Sequence, residues 1–326
     1  HDAARDLDKL TSEARAHQLN SGNLSATDKL VLGETAVPGG PHGENLILNE
    51  TDAERASQQL DKLSPADRAR FDDLMKNAKS PQERAYLMKM LAAGHNVNDV
   101  ASFDGLIHNH GDDPAWLQQH LTSIVHDEGQ HTDVSYYGAS WTQGQYPTCV
   151  ASSTVMARAM VDPSYALALT TGNKPDDPNS TSPDAFLKRL RNEQQRVYDD
   201  GRTWWERFTG SEGMSDDESI DIANDDIGKY NGQHYDHKDA DNPEKREAVL
   251  SDVEHAVDQG KPVPFQVDGP DGAHQMVVIG HQGNMLEIYN PWGDTAWVSE
   301  DDWINGHMDK VDGGVPPNVR GVNMPS

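Results

Sequence analysis

Along this chain the spacing of apolar residues changes once, and that change limits what it can fold into. From about residue 51 to 125 apolar residues recur at helical intervals. Phe71, Leu74 and Met75 share one face, as do Tyr86, Leu87, Met90 and Leu91, and Trp116, Leu117 and Leu121 form a further stripe. From residue 262 onward they come in short runs, "PVPFQV", "HQMVVIG", "MLEIYN" and "AWVS", parted by glycine-containing turns. The first pattern suits amphipathic helices and the second an antiparallel sheet. The spacing therefore predicts an α+β protein, helices first and strands later.

Start signals sharpen the helical part. Thr51 with Glu54 has the spelling of a capping box, while Ser64-Pro65, Ser80-Pro81 and Asp113-Pro114 each put a capping side chain before a first-turn proline. Gly94 is a helix stop, "AVPGGPHGEN" at 36–45 reads as loop or linker, and a sparse apolar stripe makes 1–30 helical only in part. Helical periodicity ends across 126–140. A boundary near residue 133 divides a small all-helical region, 1–133, from a second domain, 134–326. Within the second, helices are predicted at about 147–160, 183–198, 216–230 and 244–258, with "NKPDDPNSTSPD" at 173–184 as a polar loop. Ala151, Ser152, Ser153, Ala157 and Ala159 are small enough to let the first of these helices pack closely on several sides.

Composition excludes several classes of function. With 54 acidic against 27 basic residues the chain carries a net charge of -27, which repels phosphate backbones and anionic membrane surfaces, so nucleic acid is not expected as a partner. No stretch approaches the roughly 18 consecutive apolar residues of a membrane span, so no membrane insertion is expected. A single cysteine excludes an intrachain disulfide and a cysteine-cluster zinc site. The opening HDAARDLDKL is not a signal peptide, and His1 in place of Met points to a trimmed start. An exported bacterial hydrolase or effector and a cytoplasmic protein both fit.

That single cysteine, Cys149, ends the stretch "QGQYPTC" two residues after Pro147, in the first turn of a predicted helix. A thiol attacks only as thiolate, and the unpaired N–H groups of a helix start favour that form. Alone, a free cysteine is more often a small buried hydrophobe. A nucleophile needs a histidine held by a third group. Of 15 histidines, those such as His108, His110, His126, His131, His234 and His237 lie in polar contexts and read as solvated surface. His274 opens the apolar strand "HQMVVIG", with His281 just past its end as the nearest competitor. Asn290 closes the next strand, where its amide could accept from an imidazole under the cover of Trp292. By itself Asn290-Pro291 is an ordinary turn.

As a set these residues resemble the papain-like cysteine peptidases. The pattern is Gln143-Gly144, then Cys149, then His274 on a strand ending in Gly280, then Asn290-Pro291-Trp292-Gly293. The N-P-W-G spelling followed by Trp297 is closest to calpain-type catalytic domains. The resemblance covers scattered motifs over about 143–298 and implies a papain-like domain with a helical half and an antiparallel half. In it Cys149 would be the nucleophile, His274 general base and then acid, and Asn290 the group orienting His274. The Gln143 amide and the Cys149 backbone N–H would bind the oxyanion, with Trp292 as cover. A protein or peptide substrate is implied, and no cofactor or metal. Val150 stands where such enzymes often carry an aromatic residue, and no acidic loop matches calpain calcium sites. The run "DDESIDIANDD" reads as a solvated helix face. The same apparatus also serves deamidation, transglutamination or cell-wall amide hydrolysis, and an inactive binding module could keep the residues as a scaffold. The helical region would serve as inhibitor, docking module or scaffold.

Overall fold

The computed structural model describes residues 47–48, 50–123, 131–143, 148–201 and 216–326. The expectations for 1–30 and 36–45, and Gly144 to Pro147 of the cysteine motif, lie outside the described residues. Mixed helix and antiparallel sheet give the α+β class expected. Two units are present: 1–128 with 159–181 and 230–232, and 129–158 with 182–229 and 233–326.

In the first unit α1 (Glu50–Lys62), α2 (Pro65–Asn77), α3 (Pro81–Ala92), α4 (Val97–Ile107) and α5 (Pro114–Leu121) follow one another, with a 3-10 turn at His108–His110. The caps are those the sequence spells. Ser64 accepts from the Asp67 N–H at 3.1 Å, Ser80 from Glu83 at 3.0 Å and Asp113 from Trp116 at 3.1 Å, each with proline in the first turn. Each such cap is worth about 1 kcal/mol. Thr51 is an exception: α1 begins at Glu50, so Thr51 lies inside the first turn instead of capping it. Gly94, at φ 87°, stops α3 in the left-handed region that glycine tolerates. Leu48, Leu60, Phe71, Tyr86, Leu87 and Phe103 fill the core, joined by Leu167 from a later helix.

That later helix corrects the domain boundary. The division expected near residue 133 falls at 128/129, and the first unit also takes 159–181 and 230–232. Helix α7 (Pro163–Thr171) buries Leu167 in the helical core, while Thr170 Oγ1 donates to the His120 carbonyl at 2.9 Å. Its start, Asp162-Pro163, repeats the device of Asp113-Pro114.

The second unit opens with β1 (His131–Asp133) and a two-strand ribbon, β2 (Ser135–Tyr136) and β3 (Ala139–Ser140). Its helices are α6 (Cys149–Val161, of which 149–158 belong here), α8 (Pro183–Gly201) and α9 (Asp216–Ala223). The last runs through a π-helical segment, Asn224–Gly228, into the short α10 (Lys229–Asn231), of which only Lys229 belongs here. Then come β4 (Tyr235–Asp239), α11 (Pro243–Asp258), β5 (Val263–Gly269), β6 (Gly272–Gln282), β7 (Met285–Asn290), β8 (Asp294–Ser299), α12 (Glu300–Asn305) and β9 (Asn318–Pro325). All seven strands of the main sheet pair antiparallel, in the order β1-β8-β7-β6-β5-β9-β4. Neither β4 nor β9 is among the predicted strands.

Strand β6 is central, and successive side chains point to opposite faces. Met276 and Val278 join Phe265, Val267, Leu286 and Ile288 in a core closed by Val253 and Val257 of α11 and Trp303 of α12. Cutting a fully buried aromatic such as Phe265 to alanine costs about 3–5 kcal/mol. Gln275, the residue before Met276, points to the opposite face and meets polar partners instead. The run "DDESIDIANDD" is not simply a solvated face: Glu218, Ser219, Ile222 and Ala223 are buried, and Asp226 pairs with Arg158 at 3.2 Å.

Candidate active site

Cys149 is the first residue of α6 and is partly buried. The Ser152 N–H closes the helix start on the Thr148 carbonyl at 2.7 Å. Burial pushes the Cys149 thiol up, outweighing the backbone N–H groups of Gln275, Val150 and Cys149 itself, which stabilise the thiolate. The helix start expected to make this cysteine acidic is therefore overridden by desolvation. The Gln275 contact is informative about position. The register Val277↔Tyr289 sets Gln275 level with Pro291, past the end of β7. There its N–H meets the cysteine sulfur, one residue from His274.

His274 is the third residue of β6, not its first, because pairing with β5 extends the strand back through Ala273 to Gly272. It is 7% exposed and Asn290 is 0% exposed. His274 Nε2 donates to Asn290 Oδ1 at 2.9 Å, which fixes the tautomer and leaves Nδ1 as the basic nitrogen. Burial depresses the His274 pKa, and the Asn290 hydrogen bond works in the opposite direction. Burial thus biases both the Cys149 thiol and the His274 imidazole to their neutral forms. Trp292 stacks on the His274 ring with centroids 4.9 Å apart and an interplanar angle of 30°. The indole also lies by Gly314, where a Cβ would stand 3.3 Å from it.

Gln143 is brought to the same place by backbone bonds. Its N–H donates to the Pro291 carbonyl at 2.7 Å, and the Val134 N–H to the Gly293 carbonyl at 2.8 Å. Tyr289 Oη donates to the Trp141 carbonyl at 2.7 Å, and Gln194 Nε2 to that of Thr142 at 3.1 Å. Gly293 turns at φ 107°, and any Cβ there would overlap the Ser140 hydroxyl. Glycine is required at that position.

No family model, curated protein or solved structure matches this chain. The site accordingly rests on its own geometry.

His281, the competitor, lies at the far end of β6 with both ring nitrogens engaged, Nδ1 with Asp258 at 3.1 Å and Nε2 with the Gly283 carbonyl at 2.7 Å. Although burial opposes its charge, the Asp258 carboxylate and the Gly283 carbonyl raise its pKa. Four histidines read as solvated surface have partners: His237 with Asn323 at 3.2 Å, His108 with the buried Glu83, His110 with Asp176 at 3.0 Å and His234 with Asp236 at 3.3 Å.

Sequence reasoning missed the polar layer that joins the cysteine helix to the sheet. Gln275 Nε2 donates to Ser153 Oγ at 2.8 Å, one turn beyond Cys149. Its Oε1 accepts from Ser219 Oγ and Gln266 Nε2, each at 2.9 Å, and Asn323 Nδ2 donates to Ser219 Oγ at 2.7 Å. All five residues are buried. In a low-dielectric interior such a network fixes one arrangement, because any shift strands a donor or acceptor. The signal was present as glutamines interrupting apolar runs, Gln266 in "PVPFQV" and Gln275 in "HQMVVIG".

Proposed function

We propose that the second unit is a papain-like cysteine peptidase domain that cleaves peptide bonds through Cys149, His274 and Asn290. The observation that carries this reading is the buried His274–Asn290 bond under Trp292, on the strand whose next backbone N–H meets the Cys149 sulfur. Held through Nε2, His274 takes the thiol proton on Nδ1 as the sulfur attacks the substrate carbonyl. The Gln143 side-chain amide and the Cys149 N–H bind the tetrahedral oxyanion, a contribution of about 3 kcal/mol per donor. His274 then protonates the departing amine, leaving a thioester. Water, deprotonated by the same imidazole, hydrolyses the thioester and restores the thiol.

Because both groups start neutral, the reactive thiolate forms with substrate in place rather than as a standing ion pair. That limits wasteful alkylation of the free protein. No helix among the described residues is long and apolar enough to cross a membrane, and a protein or peptide is the substrate class that fits.

Treatment with an epoxysuccinyl peptide tests the reading. Stoichiometric modification at Cys149, lost in His274→Ala, is expected, and labelling at the rate of a free thiol in both proteins defeats it. Mass analysis of peptide libraries then separates chain cleavage from a one-dalton deamidation or an amine adduct. The latter products would move the assignment to acyl transfer by the same three residues.

A further inference from the structure

The first unit holds a cluster of titratable side chains that this chemistry does not use. Glu83 lies in the first turn of α3, and Asp104 and His108 stand four positions apart on α4 and its 3-10 extension, so they share a face. One donor atom from each lies within 4.8 Å of the other two. Glu83 is fully buried, and its carboxylate already accepts from His108 Nδ1 at 2.6 Å and from the Lys79 N–H at 2.9 Å. Asp104 differs. It is 7% exposed, and its Oδ1 is buried with no hydrogen-bond donor among the described residues.

The pocket gathers two buried carboxyl groups, which repel one another when charged, and leaves an acceptor oxygen without a donor, a costly arrangement away from water. A bound cation would satisfy the orphaned oxygen and offset the repulsion together.

We infer that Glu83, Asp104 and His108 bind a divalent transition-metal ion, zinc being the best fit to one imidazole nitrogen and two carboxylates. Calcium and magnesium favour sites built from oxygen alone. Coordination through Nδ1 uses the neutral imidazole protonated at Nε2. Tetrahedral ligands held at 2.0–2.1 Å from zinc stand about 3.3 Å apart, so His108 and Glu83 must part slightly on binding. Gly111 leaves the room: a Cβ there would overlap the Glu83 carboxylate. His108, with 36% of its side chain exposed, provides the way in.

The test is Co2+ titration of the full, metal-stripped chain followed by visible absorption, with Zn2+ competition, in a Cys149→Ser background that removes the thiol as a rival ligand. One saturable equivalent is expected, with affinity falling at least about tenfold in His108→Ala and in Asp104→Asn. Zn2+ should raise the thermal midpoint of the parent and not of His108→Ala. His108 is partly exposed and Asp104→Asn nearly isosteric, so at least one variant should keep its circular dichroism spectrum. Glu254→Gln, which alters the other carboxylate–histidine group around His281, should keep the equivalent. Absence of saturable uptake, or uptake undiminished in a folded variant, overturns the assignment.

Discussion

The two ends of β6 each carry a histidine, and their surroundings give the same ring opposite properties. At one end His274 is buried against a neutral carboxamide, its pKa is depressed and Nδ1 is the nitrogen without a proton. At the other, His281 faces the Asp258 carboxylate, its pKa is raised and both nitrogens are occupied. A neutral partner orients an imidazole but stabilises its charge too little to offset burial, whereas a carboxylate holds the proton in place. Asparagine at position 290 therefore leaves His274 unprotonated to lower pH than aspartate would.

The harshest way to break the comparison is to delete each ring. His274→Ala should lower kcat/KM for a cleaved peptide by about 10²–10⁴-fold, while His281→Ala should leave it within about twofold. Similar losses in both would place the base elsewhere. A second change makes one end resemble the other. Asn290→Asp puts a carboxylate on His274 and should raise its pKa. A base works only when deprotonated, so the acid limb of the pH–rate profile moves upward and activity near pH 6 falls most. An unmoved acid limb would mean that another group sets it.

A smaller effect is expected beside the ring. Gln275→Leu keeps the volume but strands Ser153, Ser219 and Gln266, for a stability loss of about 1–3 kcal/mol in urea unfolding. Turnover should fall about tenfold with little change in KM, as the start of α6 loses its tie to β6. Unchanged turnover with reduced stability would confine the network to folding.

What was legible in the sequence was what is encoded locally. Ser64, Ser80 and Asp113 announce their helices through three adjacent positions, and the apolar runs of β5 to β8 stand between glycine-containing turns. Cys149, His274, Asn290 and Gln143 stand out in the sequence only as a set, through their resemblance to the papain-like pattern. The edge strand β4, "YDHKD", was not legible, because half-exposed edge positions need no apolar pattern. Nor was the allegiance of α7, which follows from where Leu167 is buried and not from how the helix is spelled. The Gln275 network joins residues 122 and 56 positions apart, so only the assembled sheet reveals it.

The turn from Asn290 to Gly293 has one last consequence. Its side chain at 290 steers the imidazole, its carbonyl at 291 seats the backbone of Gln143, and its glycine lies against Ser140. In the proposed reaction the proton acceptor and the amide that receives the negative charge are thus positioned from the same four residues. Damage at Gly293 would disturb both at once, so the spacing between them is inherited as a unit and cannot be tuned from one side alone.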